Sequence, residues 1–166
     1  MSDCIVERHG GVMLIRFNRP EKMNSLGGTL MQEFSEAFRE GTADDAIRCF
    51  VVTGEGRAWN AGADLSGAGI TQIGKTKQTF AQEMNTLGGV GQVALQVWNC
   101  DKPTIAAVNG VCAGGGFGFV TCFDRRIASD QARFTTVFIR RALASDFGLS
   151  WFLPRLVGLE RAQEMY

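Results

Sequence analysis

Two glycine-bearing segments have the composition of loops that bind an oxygen atom through backbone N–H groups. The first is AGADL, residues 61–65, and the second is residues 109–116, which end in a triple glycine. Each follows a predicted strand, and the second leads into a predicted helix, whose first N–H groups lack partners within the helix. Glycine and alanine let a ligand approach the backbone closely. Two converging N–H groups would form an oxyanion hole, which stabilises negative charge developing on an acyl oxygen.

Few residues of this chain can supply nucleophilic or metal-binding chemistry by the usual routes. The single histidine, His9, falls in a predicted hairpin turn, so a histidine-based catalytic triad has no good candidate. The five cysteines are odd in number and form no CxxC pair. This pattern predicts buried free thiols in a reducing cytoplasm, and neither disulfides nor a metal site.

Length and charge limit the classes of protein to which the chain can belong. Its 166 residues predict one domain, residues 1–166, with enough chain to bury a core. The 17 basic and 17 acidic residues balance, which argues against nucleic acid and acidic membranes as partners. No apolar run reaches the length of a membrane span, and the first residues do not have the pattern of a signal peptide. We therefore expect a cytoplasmic globular protein.

The glycine-bearing segments lie in a chain that alternates between strand and helix patterns. Apolar runs predict strands at residues 4–8, 12–18, 47–53, 104–109, 126–129 and 134–135. Apolar spacing of three and four predicts helices over 28–41, over 76–99, from the triple glycine to about 123, and from Asp146 onwards. Residues 55–75 predict a loop, and Pro154 predicts a kink or an early end of the last helix. This order predicts an α/β fold.

Four motifs, taken in order and spacing, resemble the crotonase superfamily, the enoyl-CoA hydratase/isomerase family. They are NRP with NSL between residues 18 and 26, GRAWNAGADL at 56–65, KPTIAAVNG at 102–110 and GGG at 114–116. The resemblance runs from about residue 4 to residue 166, and it implies a crotonase-like fold of repeated ββα units. Members of this family continue through further helices, so the C-terminal helical part is expected to be missing from these 166 residues. A homo-oligomer, a trimer or a hexamer, is also implied.

The resemblance implies an acyl-CoA thioester as substrate, with coenzyme A as part of that substrate and no separate cofactor. The thioester carbonyl would accept hydrogen bonds from the N–H groups of Ala63 and Gly115, so that an enolate is stabilised. The remaining residues implied to lie against the substrate or its coenzyme A portion are Lys22, Met23, Ala61, Gly62, Asp64, Leu65, Gly114 and Phe138.

The acid–base residues are where this chain departs from the family pattern. Hydratases of the family use two glutamates, and the matching positions here are Gly118 and Phe138. Adding water with paired carboxylates requires both groups, so ordinary hydration is disfavoured. Asp146 remains as an acid–base candidate. Some isomerase branches, including dienoyl-CoA isomerases and ring-opening isomerases of phenylacetate breakdown, have an aspartate at the matching place.

Two roles for Asp146 stay open at this point. An aspartate before a helix is a favoured N-cap, whereas a carboxylate beside an apolar pocket can move a proton between two carbons of a substrate. We predict an enoyl-CoA isomerase in which Asp146 is the proton shuttle. The alternatives are other chemistry of the family (hydration, thioester hydrolysis or carbon–carbon cleavage) and a non-catalytic protein that binds acyl-CoA or another subunit.

Overall fold

The computed structural model describes residues 2–66 and 88–166, and its strands and helices alternate along the chain as predicted. The strands are β1 (Cys4–His9), β2 (Val12–Phe17), β3 (Cys49–Gly54), β4 (Ala58–Asn60), β5 (Thr104–Val108), β6 (Val111–Ala113), β7 (Arg125–Ala128) and β8 (Arg133–Thr135). The helices are α1 (Leu30–Ala43), α2 (Gly88–Trp98), α3 (Gly115–Val120), α4 (Leu149–Val157) and α5 (Leu159–Met165). Short 3-10 turns cover Pro20–Lys22 and Ile139–Arg141.

The strands form two sheets, and the chain passes from one sheet to the other in a repeated pattern. A five-stranded sheet has the order β1-β2-β3-β5-β7, and a three-stranded sheet has the order β4-β6-β8. Among the strand pairs that the described residues form, the β1–β2 hairpin is antiparallel and the other pairs are parallel. Three successive units follow the same path: one strand in the large sheet, one strand in the small sheet, then a helix. This is the α/β fold of repeated ββα units that the resemblance implied.

Aromatic side chains between α1 and the large sheet hold α3 in place. On α1, Leu30, Phe34 and Phe38 recur at four-residue spacing, and all three are fully buried. Phe119 of α3 is buried as well, with its ring centroid 5.1 Å from that of Phe34 and 5.8 Å from that of Trp59 in β4. Such contacts fix the position of α3, and therefore of its first turn, against both sheets.

The structure corrects several predicted boundaries. β4 and β6 were missed because they lie within the glycine-rich stretches that favoured loops, whereas β8, which also has three residues, overlaps the strand predicted at 134–135. The last predicted helix does not begin at Asp146, and it does not end early at Pro154, since α4 continues to Val157. Burial of Leu149, Phe152 and Leu153 along one face keeps this segment helical despite the hydrogen bond that proline cannot donate. Of the helix predicted over 76–99, residues 76–87 lie outside the described residues, as do residues 67–75 of the predicted loop.

Three of the five cysteines, Cys4, Cys112 and Cys122, are buried, and all five are free thiols. Burial raises the pKa of the Cys4 and Cys122 thiols to about 12, so both stay protonated near neutral pH. Within residues 2–66 and 88–166, no helix is both long enough and apolar enough to cross a membrane.

Candidate active site

The two glycine-bearing segments lie side by side. β4 and β6 are parallel neighbours, with Asn60 in register with Cys112, so the segments that follow them leave the small sheet at the same end. Gly62 has a φ of +84°, which favours glycine, and its backbone touches the second segment. A Cβ atom added at Gly62 would lie 2.8 Å from the carbonyl oxygen of Ala113 and 3.2 Å from the backbone nitrogen of Gly115. The structure therefore brings together the two predicted donor segments.

Backbone pairing leaves the two predicted donors without acceptors. Leu26 donates its N–H to the carbonyl of Gly62 at 2.7 Å and accepts the N–H of Asp64 at 3.1 Å. Ala63 lies between these two pairings, and its own N–H takes part in neither. Gly115 is the first residue of α3, where an N–H has no partner within the helix. Neither N–H donates a hydrogen bond to any atom of residues 2–66 and 88–166.

A cavity of about 540 Å³ lies beside these donors and is lined mainly by apolar atoms. Its lining residues are Ala61, Gly62, Ala63, Leu65, Ala113, Gly114, Gly115, Val137, Phe138, Arg140, Arg141, Leu143 and Asp146. For eight of these residues, the sequence predicted contact with the substrate. Ala113, Val137 and Leu143 were not predicted, although Ala113 lies within the second glycine-bearing segment and Val137 precedes Phe138. Arg140 and Arg141 are exposed and reach the same cavity.

The Asp146 carboxylate lies beside Gly115 and has one buried oxygen without a partner among the described residues. Its Oδ1 atom is buried and has no hydrogen-bond partner in the described part of the chain. A Cβ atom added at Gly115 would lie 3.3 Å from the carboxylate Oδ2. Burial raises the pKa of the Asp146 carboxyl above its usual value, because the charged form loses solvation there. The carboxylate thus lies next to the first turn of α3, within the cavity wall.

The N-cap interpretation of Asp146 is wrong. The residue before α4 is Gly148, and no side chain makes a capping hydrogen bond at this helix end. Asp146 contributes only its backbone carbonyl, which accepts the N–H of Leu149 at 3.0 Å. Phe147 and Gly148 have φ values of 48° and 69°, and this left-handed turn separates the aspartate from the helix. Phe147 is almost fully buried, which holds a conformation that an aromatic residue rarely adopts.

The two positions where hydratases of the family have glutamate differ here in both chemistry and space. A Cβ atom at Gly118 would lie 2.8 Å from the carbonyl oxygen of Asp146 and 3.0 Å from the Cβ of Phe147. The turn that positions Asp146 therefore occupies the volume that a side chain at 118 would need. Phe138 is 6% exposed and presents an aromatic ring to the cavity. Among the described residues that line the cavity, Asp146 is the one carboxylate.

We expect Gly118→Glu to destabilise the protein and not to create hydratase activity. The new side chain would collide with backbone at Asp146, and overpacking of this kind costs about 1–3 kcal/mol of unfolding free energy. Gly89→Glu is the matched control, because a Cβ atom there meets no described atom within 4 Å and glutamate favours a helix. Denaturant unfolding and a crotonyl-CoA hydration assay measure both effects. Hydration by a stable Gly118→Glu protein would contradict this account.

Some of the residues predicted to contact the coenzyme A portion of the substrate line the cavity, and others lie nearby without lining it. The carbonyl of Met23 accepts the N–H of Ala61 at 3.1 Å, and the Nζ of Lys22 donates to the hydroxyl of Ser66 at 3.4 Å. Lys22, Met23 and Asp64 are not among the residues that line the cavity.

Asp64 is held within the scaffold of the first segment. Ser66 donates its hydroxyl and its N–H to the Asp64 carboxylate, and Arg19 pairs with the same carboxylate at 3.1 Å. The hydrogen bonds from Ser66, together with Arg19, lower the pKa of Asp64 to about 2, so the side chain is ionised at neutral pH. As for metal binding, the described residues contain no cluster of three or more His, Cys, Asp or Glu side chains that could hold an ion.

A sequence profile of the enoyl-CoA hydratase/isomerase family matches residues 7–166. The chain belongs to this family. An enoyl-CoA hydratase of Alternaria alternata, ACTT3, is 35% identical over 156 residues, which are 94% of this chain and 50% of that protein. A 4-chlorobenzoyl coenzyme A dehalogenase of Arthrobacter sp is 35% identical over 159 residues, which are 96% of this chain and 56% of that protein.

Solved structures of the enoyl-CoA hydratase/isomerase family share the fold. A monofunctional enoyl CoA isomerase from M. smegmatis superimposes with a TM-score of 0.78 at 30% identity, covering 98% of this chain and 66% of that one. The family and fold predicted from the four motifs are confirmed. The chain spans about half the length of the curated relatives it matches. The matched relatives and solved structures are named as a hydratase, a dehalogenase and an isomerase. Membership of the family therefore does not select one reaction.

Proposed function

We propose that this chain forms the catalytic core of an enoyl-CoA isomerase, which shifts a double bond along an acyl-CoA thioester. The observation that carries the proposal is the Asp146 carboxylate, whose buried Oδ1 has no partner in the described residues and which lies beside Gly115 in the cavity wall. One carboxylate is sufficient for this reaction, because the same group can remove a proton from one carbon and return it to another.

The Ala63 and Gly115 N–H groups would bind the thioester oxygen. Hydrogen bonding to that oxygen acidifies the neighbouring C–H bonds and stabilises the enolate that forms when a proton leaves. Asp146 takes that proton as its carboxylate and becomes a carboxylic acid. It then donates the same proton to a different carbon of the conjugated enolate, so the double bond moves and no atom is gained or lost. The apolar wall formed by Phe138, Val137 and Leu143 would exclude water from this step.

The raised pKa of Asp146 supports the role of proton shuttle. A general base is most effective when its pKa lies near the working pH, and burial moves an aspartate in that direction. By contrast, hydration with paired carboxylates lacks its second group, since Gly118 has no side chain and Phe138 is apolar. The absence of both glutamates from these positions favours isomerisation over hydration.

A second candidate reaction is displacement of halide from an aromatic acyl-CoA. A relative that is 35% identical is a 4-chlorobenzoyl coenzyme A dehalogenase, and an unpaired carboxylate such as Asp146 can also act as a nucleophile. Hydrolysis of the resulting ester would need a base to activate water. The single histidine of the sequence, His9, is exposed at the end of β1 and contacts Glu7, so it is not available for this purpose.

The test is a panel of substrates offered to the purified protein. We expect 3-enoyl-CoA to be converted to 2-enoyl-CoA, with the product identified by chromatography and by its ultraviolet absorbance. Dienoyl-CoA, 2-enoyl-CoA and 4-chlorobenzoyl-CoA are run in parallel. Hydrated product from 2-enoyl-CoA would contradict the proposal, and chloride release would favour the second candidate. Thermal stabilisation by acyl-CoA without any turnover would indicate a binding protein instead.

A further inference from the structure

Asn60 is a fully buried amide at the end of β4, directly before the first donor segment. Its Oδ1 accepts the N–H of Gly62 at 2.9 Å, and its Nδ2 donates to the carbonyl of Asn24 at 2.6 Å. Both bonds are made to backbone groups, so the amide joins the segment that contains Ala63 to the segment that contains Asn24. A buried amide with both of its functions engaged fixes the geometry of the chain around it.

The same side chain also contacts the second donor segment. A Cβ atom added at Gly116 would lie 2.6 Å from Oδ1 of Asn60, and it would lie even closer to the Asn60 carbonyl oxygen. The first turn of α3 therefore packs directly onto Asn60. Gly116 follows Gly115, whose N–H is one of the proposed donors, and Gly62 precedes Ala63, whose N–H is the other. One side chain thus touches the neighbour of each donor.

We propose that Asn60 is a positioning residue that sets the distance between the Ala63 and Gly115 N–H groups. This inference rests on the proposed binding of a thioester oxygen by those groups, and it does not depend on the reaction that follows. Asn60 does not line the cavity and so does not touch substrate. It acts by bonding the Gly62 N–H on one side and by supporting Gly116 on the other. Loss of the amide would let the two donors separate, and transition-state stabilisation is sensitive to displacements of about 1 Å.

Gln96 provides a matched control that does not line the cavity. Its Oε1 accepts the hydroxyl of Ser35 at 2.7 Å, and its Nε2 donates to the carbonyl of Ser35 at 2.9 Å, which joins α2 to α1. Gln96→Ala therefore removes an amide with one accepted and one donated hydrogen bond, as Asn60→Ala does. Asn60→Asp is a second variant, because its carboxylate can still accept the Gly62 N–H while the bond to Asn24 is lost.

The experiment measures polarisation of a bound thioester. Hexanoyl-CoA has no double bond to move, so the infrared stretching frequency of its carbonyl reports the donors without any turnover. We expect this frequency to fall on binding to the wild-type protein, and to fall by less than about half as much on binding to Asn60→Ala. Gln96→Ala should retain the full shift, and Asn60→Asp should retain more of it than Asn60→Ala. With a substrate that turns over, Asn60→Ala should lower kcat by about 10- to 100-fold with little change in KM.

The outcomes distinguish failure of the positioning role from failure of the proposed function. A full shift in folded Asn60→Ala, with a loss of stability equal to that of Gln96→Ala, would overturn the positioning role and leave the proposed function intact. An unchanged shift in Asn60→Asp and Gln96→Ala, combined with a reduced shift in Asn60→Ala, would support the role through the Gly62 bond. No shift in the wild-type protein would overturn both proposals. If Asn60→Ala does not fold, Asn60→Leu takes its place, because leucine has nearly the shape of asparagine and cannot accept the Gly62 N–H. A reduced shift in Asn60→Leu then supports the role, and a full shift overturns it.

Discussion

Asp146→Asn is expected to lower kcat for double-bond migration by about 100- to 10,000-fold while acyl-CoA binding persists. Loss of a positioned acid–base group has an effect of this size, and an amide has nearly the same shape but cannot carry the proton. Binding should persist because the Ala63 and Gly115 N–H groups are backbone and remain in place. The measurement is conversion of 3-enoyl-CoA at saturating substrate, together with the dissociation constant for hexanoyl-CoA.

Asp146→Asn should lose activity without losing stability at neutral pH. The pKa of Asp146 is raised in the folded chain from its ordinary value of 3.8, because burial disfavours the charged form. Folded protein therefore keeps a proton that unfolded protein has released, and the free energy of unfolding falls as pH rises from 3.8 through the raised pKa. Asp146→Asn cannot ionise and avoids this loss. At neutral pH its free energy of unfolding should equal or exceed that of the wild-type protein.

A matched control separates this effect from a general effect of charge. Asp130 is exposed, on the turn between β7 and β8, and Asp130→Asn should leave turnover and unfolding unchanged. Urea unfolding at about pH 4 and about pH 7 gives the stability comparison. Full turnover by Asp146→Asn would remove Asp146 from the mechanism, and the isomerase proposal would then lack its acid–base group.

Gly115→Pro is expected to lower kcat by about 100- to 1000-fold relative to Gly115→Ala. Proline has no N–H, so this substitution removes one proposed donor to the thioester oxygen, and removal of one such donor has an effect of this size in other enzymes. Gly115 is the first residue of α3, which is a position where helices accept proline. The substitution therefore tests the donor with little disturbance of the helix.

Gly115→Ala is the necessary comparison, because both variants add a Cβ atom at the same place. That atom would lie 2.8 Å from Cδ1 of Leu26 and 3.3 Å from the Asp146 carboxylate. The Leu26 methyl group is the end of a side chain that can rotate away, so the alanine variant should fold. The infrared shift of bound hexanoyl-CoA should be reduced in the proline variant and largely kept in the alanine variant. Equal turnover by the two variants would show that the Gly115 N–H does not bind the oxygen.

Much of the framework could be predicted from local patterns. The α1 stripe of Leu30, Phe34 and Phe38 and the apolar strands of the large sheet follow from residue spacing, because helix and strand periods are set by the backbone. The two glycine-bearing segments could be singled out because close approach to a ligand needs glycine or alanine. β4 and β6 could not be predicted, since their glycine-rich surroundings favour a loop and their pairing partners are distant along the chain.

The sequence by itself determined the family, the fold class, the two glycine-bearing segments and the absence of glutamate at positions 118 and 138, because each depends on residue identity and spacing along the chain. Tertiary structure alone excluded the capping role of Asp146. A capping aspartate and an aspartate directed at a cavity have the same local sequence, and the left-handed turn at Phe147 and Gly148 distinguishes them. It also showed that this turn fills the space beside Gly118, and that Asn60 contacts both donor segments. These relations join residues distant along the chain, and only packing of the two sheets against α3 brings them together.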